Sequence, residues 1–162
     1  MNEEGITRLA VRLGKACRRR RVEVSVAESC TGGGVAAAIT RISGSAKWFD
    51  RGFVTYSNDA KRELLGVSAK TLERHGAVSE EVAREMAACV LKRSPSDISV
   101  SVTGIAGPTG GSRLKPVGLV WFGWASRGGI VQTRAFRFQG TRMEIRTQSV
   151  AVALQGLIDL LR

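Results

Sequence analysis

Val22-Glu23-Val24-Ser25-Val26-Ala27-Glu28-Ser29-Cys30-Thr31-Gly32-Gly33-Gly34-Val35-Ala36-Ala37-Ala38-Ile39 decides the fold of this chain. Its first part alternates apolar and polar residues, the period of a strand over about 22–27. Its last part is alanine-rich and reads as a helix that ends near Ser43-Gly44. A short polar, glycine-rich turn joins them. A nucleophile in such a turn lies beside backbone N–H groups that no helical turn satisfies. Those groups can bind a developing oxyanion or a phosphate.

Working outward, the spacing of Ile6, Leu9, Ala10, Leu13 and Cys17 predicts a first helix over about Glu4 to Arg19. Downstream, Gly52–Tyr56 reads as a second strand, and Asn58 as the N-cap of a short helix from Asp59 to Leu65, closed by Gly66. A short helix is expected over about 69–74. A stronger one starts at Ser79-Glu80-Glu81 and runs to about Arg93. The third strand, Ile98–Thr103, enters a second glycine-rich loop, Gly104–Gly111. Strands over about Val117–Ser126 and Ile130–Phe138 are linked by Arg127-Gly128-Gly129, as in a hairpin. A last helix covers about Arg142 to Leu161. Helices between the early strands imply parallel pairing, and the late hairpin implies an antiparallel part. The expected fold is α/β, a three-layer α/β/α sandwich with a mixed sheet of about five strands in one domain, 1–162. In such sheets two loops at strand ends can meet at one edge.

Composition narrows the function. At 162 residues the chain can bury a real core, and no apolar run approaches the length of a membrane span. Its N-terminus lacks an apolar signal core, and its three cysteines are far apart, so a cytoplasmic protein with reduced thiols is expected. With a single histidine, His75, and no C-x-x-C pair, no metal site is expected. The net charge of +11 raises the possibility of nucleic acid. The cations are spread along the sequence, however, and the dense block Arg18-Arg19-Arg20-Arg21 sits where it complements a helix dipole. Nucleic acid is therefore not the expected partner. A homo-oligomer, a dimer or larger, is.

Ser29 is the first candidate nucleophile, and Cys30 beside it is the rival. In an extended segment the two side chains would point to different sides. Serine needs a base. His75 lies in an ordinary helix-end context, which directs attention to Lys61 in the first turn of the short helix. Burial there would lower the lysine's proton affinity further. Tyr56, the only tyrosine, could relay a proton or bind substrate, and Glu28 could orient the loop as a hydrogen-bond acceptor. The loop from Thr103 through Gly104 and Gly107 to Gly111 lacks the ending of a nucleoside-triphosphate P-loop, but its glycines suit close approach to a phosphate.

Several blocks together carry a resemblance: Ala27-Glu28-Ser29-Cys30-Thr31-Gly32-Gly33, Gly52-Phe53-Val54-Thr55-Tyr56-Ser57-Asn58, Ala60-Lys61, Gly66-Val67, His75-Gly76-Ala77-Val78-Ser79, Thr103-Gly104-Ile105-Ala106-Gly107-Pro108, Gly110-Gly111 and Lys115-Pro116-Val117-Gly118. In this order they resemble the CinA C-terminal domain family over nearly the whole chain, at the length of its stand-alone members, without the extra N-terminal domain of the full-length form. The resemblance implies an amidohydrolase that converts nicotinamide mononucleotide and water to nicotinate mononucleotide and ammonia. It implies a small pyridine-nucleotide substrate, no metal or other cofactor, Ser29 as nucleophile, Lys61 as base and Tyr56 as their partner. On this reading N–H groups around Thr31, Gly32 and Gly33 stabilise the oxyanion. Thr103, Gly104, Gly107 and Arg142 then contribute to substrate binding. One departure stands out. Gly140-Thr141-Arg142 occupies the place of the family's Gly-Asp-Arg, so the cap of the last helix and the setting of Arg142 fall to a threonine.

Overall fold

The computed structural model describes residues 1–162. The helices are α1 (Glu3–Arg20), α2 (Gly34–Thr40), α3 (Asn58–Ala60), α4 (Ala69–His75), α5 (Glu80–Lys92) and α6 (Arg142–Leu160). The strands are β1 (Val24–Glu28), β2 (Phe49–Val54), β3 (Ile98–Gly104), β4 (Leu119–Ser126) and β5 (Ile130–Arg137). They form one five-stranded mixed sheet in the order β2-β1-β3-β4-β5. β1 pairs in parallel with β2 and β3, whereas β3–β4 and β4–β5 are antiparallel, as the spacing of helices and hairpin implies.

The two sheet faces differ in chemistry, and that difference assigns the helices. Val24, Val26, Val100, Val102, Val120, Phe122 and Trp124 form an apolar face that is covered by α1, α2 and α6. The opposite face carries small polar residues. Ser99 and Ser101 donate to the carbonyls of Ala87 and Ala83 on α5, at 2.7 and 2.6 Å. Gly123 permits this close approach, since a Cβ there would lie 2.5 Å from the Ala83 carbonyl oxygen. Beyond it, Leu65, Val67, Leu72, Val82, Met86 and Val90 make a second, smaller core. No helix is long and apolar enough to cross a membrane.

Three expectations shift. β2 begins at Phe49 and ends at Val54, upstream of the expected Gly52–Tyr56. It is an edge strand with Asp50 and Arg51 exposed, so its start carries no apolar signal, and the carbonyls of Thr55 and Tyr56 leave the ladder for Lys61. The cap of α3 is Ser57, not Asn58: its side chain accepts from the Ala60 N–H. α2 stops at Thr40, short of Ser43-Gly44, before a single 3-10 turn over Ser45–Lys47 leads into β2.

Candidate active site

The site forms where β1 and β3 end. Ser29 follows β1 directly, and its N–H donates to the Val102 carbonyl at 2.9 Å, which fixes it beside β3. Glu28 is buried, and its carboxylate accepts from the N–H groups of Val35 (2.7 Å) and Ala36 (3.0 Å). A strand side chain thus caps α2, whose own cap residue, Gly33, has no side chain to do it. Glu28 orients the loop as an acceptor, as expected from the sequence.

Lys61 enters from a wide π-type turn, Lys61–Leu65, that continues α3. It is 1% exposed and has no carboxylate partner. Its Nζ lies 3.0 Å from Ser29 Oγ, 2.8 Å from the Thr55 carbonyl and 3.2 Å from the Tyr56 carbonyl. Burial lowers its pKa from 10.5 to about 8. The surroundings also orient the neutral amine. Two carbonyls can only accept, so they take its two N–H groups. The nitrogen lone pair is then left for the one neighbour that can donate, the Ser29 hydroxyl.

Cys30 borders the cleft, but it is buried in the apolar core while Ser29 Oγ faces Lys61, the two-sided arrangement expected from the sequence. The chain leaves extended geometry after Glu28, with the Gly32 N–H turning back to the Ser29 carbonyl at 3.0 Å. Burial pushes the Cys30 thiol up to about 12, so it stays protonated near neutrality. His75 is outside the cleft and faces Glu81 at 3.5 Å.

A cleft of about 250 Å³ opens over Ser29 and Lys61. Tyr56, Thr103, Gly104, Gly107 and Arg142 all line it. Tyr56 contacts Lys61 through its carbonyl only; its exposed phenol oxygen instead accepts from Arg142 Nη2 at 2.9 Å. Arg142 Nη1 donates to the Gly107 carbonyl at 2.9 Å, so this arginine ties the second glycine loop to Tyr56. Gly107 has φ +75, and a Cβ would lie 2.4 Å from Val117 Cγ1. Thr103 donates its hydroxyl to the Ala77 carbonyl at 2.8 Å, and Gly104 pairs with Val120. Thr31, Gly32 and Gly33 do not line the cleft. The Gly32 N–H is used by the Ser29 carbonyl, whereas the N–H groups of Cys30, Thr31 and Gly33 have no protein acceptor.

Sequence reasoning missed Arg146. From the second turn of α6 it donates Nε to the Cys30 carbonyl and Nη2 to the Thr31 carbonyl, both at 3.1 Å. Arg142 and Arg146, one helical turn apart, brace the two glycine loops; that i, i+4 spacing was the only available signal. Ala77 and Val78 were also missed as lining residues. At the departure from the family pattern, Thr141 Oγ1 accepts from the Glu144 N–H at 3.2 Å while Glu144 accepts from the Thr141 N–H at 2.6 Å. This capping box holds the start of α6 without the aspartate. A larger groove of about 410 Å³ between β5 and α6 contains Asp159 but no nucleophile–base pair.

Comparison with known proteins agrees with this architecture. The model of the CinA C-terminal domain matches residues 6–161. A nicotinamide-nucleotide amidohydrolase PncC of Enterobacter agglomerans is 55% identical over 96% of this chain and 94% of its own. The protein of that name in Escherichia coli strain K12 is 51% identical over 97% and 95%. Among solved structures, the competence/damage inducible protein CihA of Agrobacterium tumefaciens superposes with a TM-score of 0.96 at 48% identity, covering 98% of this chain and 96% of that one. The sheet, the two glycine loops and a match over nearly the full length agree: this chain belongs to the CinA C-terminal domain family.

Proposed function

We propose that this protein is a nicotinamide-nucleotide amidohydrolase of Ser/Lys type, converting nicotinamide mononucleotide and water to nicotinate mononucleotide and ammonia. The observation that carries the reading is the 3.0 Å approach of buried Lys61 Nζ to Ser29 Oγ, with two carbonyls taking the amine's protons. The amidohydrolase names of the relatives support the substrate.

Ser29 Oγ attacks the carboxamide carbon as its proton passes to Lys61 Nζ. The oxyanion is held by the backbone N–H of Cys30, which borders the cleft and has no protein acceptor. Lys61 then returns the proton to the nitrogen, the C–N bond breaks and ammonia leaves. An ester to Ser29 remains. Water attacks that ester and passes a proton to Lys61. The C–O bond breaks, Ser29 recovers its proton, and the product carboxylate departs. Arg142 and the Gly104–Gly111 loop take the ribose phosphate, as a guanidinium and closely approached backbone are suited to do. Ammonia release from nicotinamide mononucleotide tests the assignment. Ser29→Ala and Lys61→Ala should each abolish it while circular dichroism stays native-like and unfolding stays cooperative. Full activity in either folded variant refutes it.

A further inference from the structure

The first helix carries a run of positive charge that the fold leaves on the surface. From Gly5 to Val22 the chain carries Arg8, Arg12, Lys15 and the Arg18–Arg21 block, and no acidic residue. α1 turns Ile6, Leu9, Ala10, Leu13 and Cys17 into the core, which leaves every one of those cations exposed. Arg8 alone has a carboxylate partner, Glu4. Along the seam of α1 and α6 runs a groove of about 320 Å³ walled by Arg12, Lys15, Arg19 and Arg162, with Ile158 and Leu161 among its lining. Arg162 pairs with Asp159 at 3.4 Å, and Arg20 donates to the Arg162 main-chain oxygen at 2.9 Å.

Helix stability does not account for this face. A helix C-terminus presents only about half an elementary charge, felt within the last turn. Arg8, Arg12 and Lys15 lie upstream of that turn, and the pairs Arg8/Arg12 and Lys15/Arg19 repel across one helical turn. We propose that this face binds the phosphodiester backbone of duplex nucleic acid without reading its sequence. From Arg8 to Arg21 the cations extend about 20 Å at 1.5 Å per residue, the length of roughly six base-pair steps. Guanidinium groups match phosphate geometry. No aromatic side chain stands on α1 for bases of a single strand to stack on. None of the large exposed apolar side chains lies on α1 or the second half of α6, so nothing there enters a lipid bilayer. The groove lies at the C-terminal end of α6 and Arg142 at its start, roughly 28 Å away along the helix, so groove and cleft can be occupied together.

The test is fluorescence anisotropy of a labelled 20-base-pair duplex of arbitrary sequence, titrated between 50 and 200 mM salt, with the full chain. With about six phosphates neutralised, log K against log salt should fall with a slope of about −5. The triple variant Arg12→Gln, Lys15→Gln, Arg19→Gln keeps helix-forming residues. It should flatten the slope to about −3, weaken binding at 50 mM salt at least tenfold, and leave thermal unfolding and ammonia release unchanged. No duplex binding at 50 mM salt would overturn the proposal. So would an equal slope for the variant, or binding to phosphatidylserine vesicles without binding to the duplex.

Discussion

Raising the pH should switch on ammonia release through a single group. Lys61 can take the Ser29 proton only as the neutral amine. With burial lowering its pKa from 10.5 to about 8, about one chain in ten holds the free base at pH 7, and about nine in ten at pH 9. At the ordinary value, about one in 3,000 would do so at pH 7. Burial therefore supplies roughly 300-fold more base at neutrality, equivalent to about 3 kcal/mol. Followed as ammonia release, kcat/KM for nicotinamide mononucleotide should climb about tenfold from pH 6 to 7, bend near 8 and level above 9. A tenfold rise per unit that continues past pH 9.5 would refute the reasoning, because the base would then titrate as an ordinary lysine. A profile flat from pH 6 to 9 would also refute it. Stability must move with the same group. Between pH 8 and about 10.4 the unfolded chain holds a proton on Lys61 that the folded chain has released. Native stability therefore rises with pH across that window, and the penalty is fully present below it. Measured as the difference between the wild type and Lys61→Met, which cancels the other titrating groups, the rise should approach about 3 kcal/mol.

Four substitutions probe the supports of the site. Glu28→Gln leaves one acceptor for two buried N–H groups and should cost about 1–3 kcal/mol in urea unfolding; an unchanged midpoint would show that the cap of α2 does not depend on the carboxylate. Cys30→Ala should retain at least a third of the ammonia release, since the protonated thiol takes no part; loss of all activity would revive Cys30 as nucleophile. Arg142→Ala should raise KM for nicotinamide mononucleotide by about tenfold or more and leave that for the unphosphorylated riboside unchanged; equal effects on both would detach Arg142 from the phosphate. Arg146→Ala should lower kcat by about 10–100-fold, as misplacement of reacting groups does, with little change in KM, and Arg146→Lys should restore part of it; a pure KM effect would place Arg146 in substrate binding instead.

Legibility in the sequence followed how local each signal was. α1 was readable because its apolar stripe repeats along one helix, and β3 because, buried on both faces, it carries no charged residue. The start of β2 was not, because Asp50 and Arg51 face solvent at a sheet edge. Ser57 and Asn58 are both good caps, and choosing between them requires knowing where the chain turns. Ser29 and Lys61 could be singled out by residue chemistry and by the lack of a suitable histidine. Arg146 could not, because its acceptors are carbonyls 116 and 115 residues away. That Thr31, Gly32 and Gly33 lie behind Ser29 in its turn and not on the cleft wall was not legible, because it depends on how the turn folds back after the strand.

The sequence by itself determined the order of strands and helices, the two glycine-rich loops and the family, because caps, turns and periodicity are properties of neighbouring residues. Only the tertiary structure decided which nitrogen faces Ser29 and how far burial shifts its proton affinity. Burial at 1% exposure lowers the pKa of Lys61, and two carbonyls just beyond β2 set the direction of its Nζ. Tertiary packing likewise brought Arg162 against the cations of α1. Desolvation and such long-range contacts depend on what distant segments bring together in space, and no window of the sequence contains that.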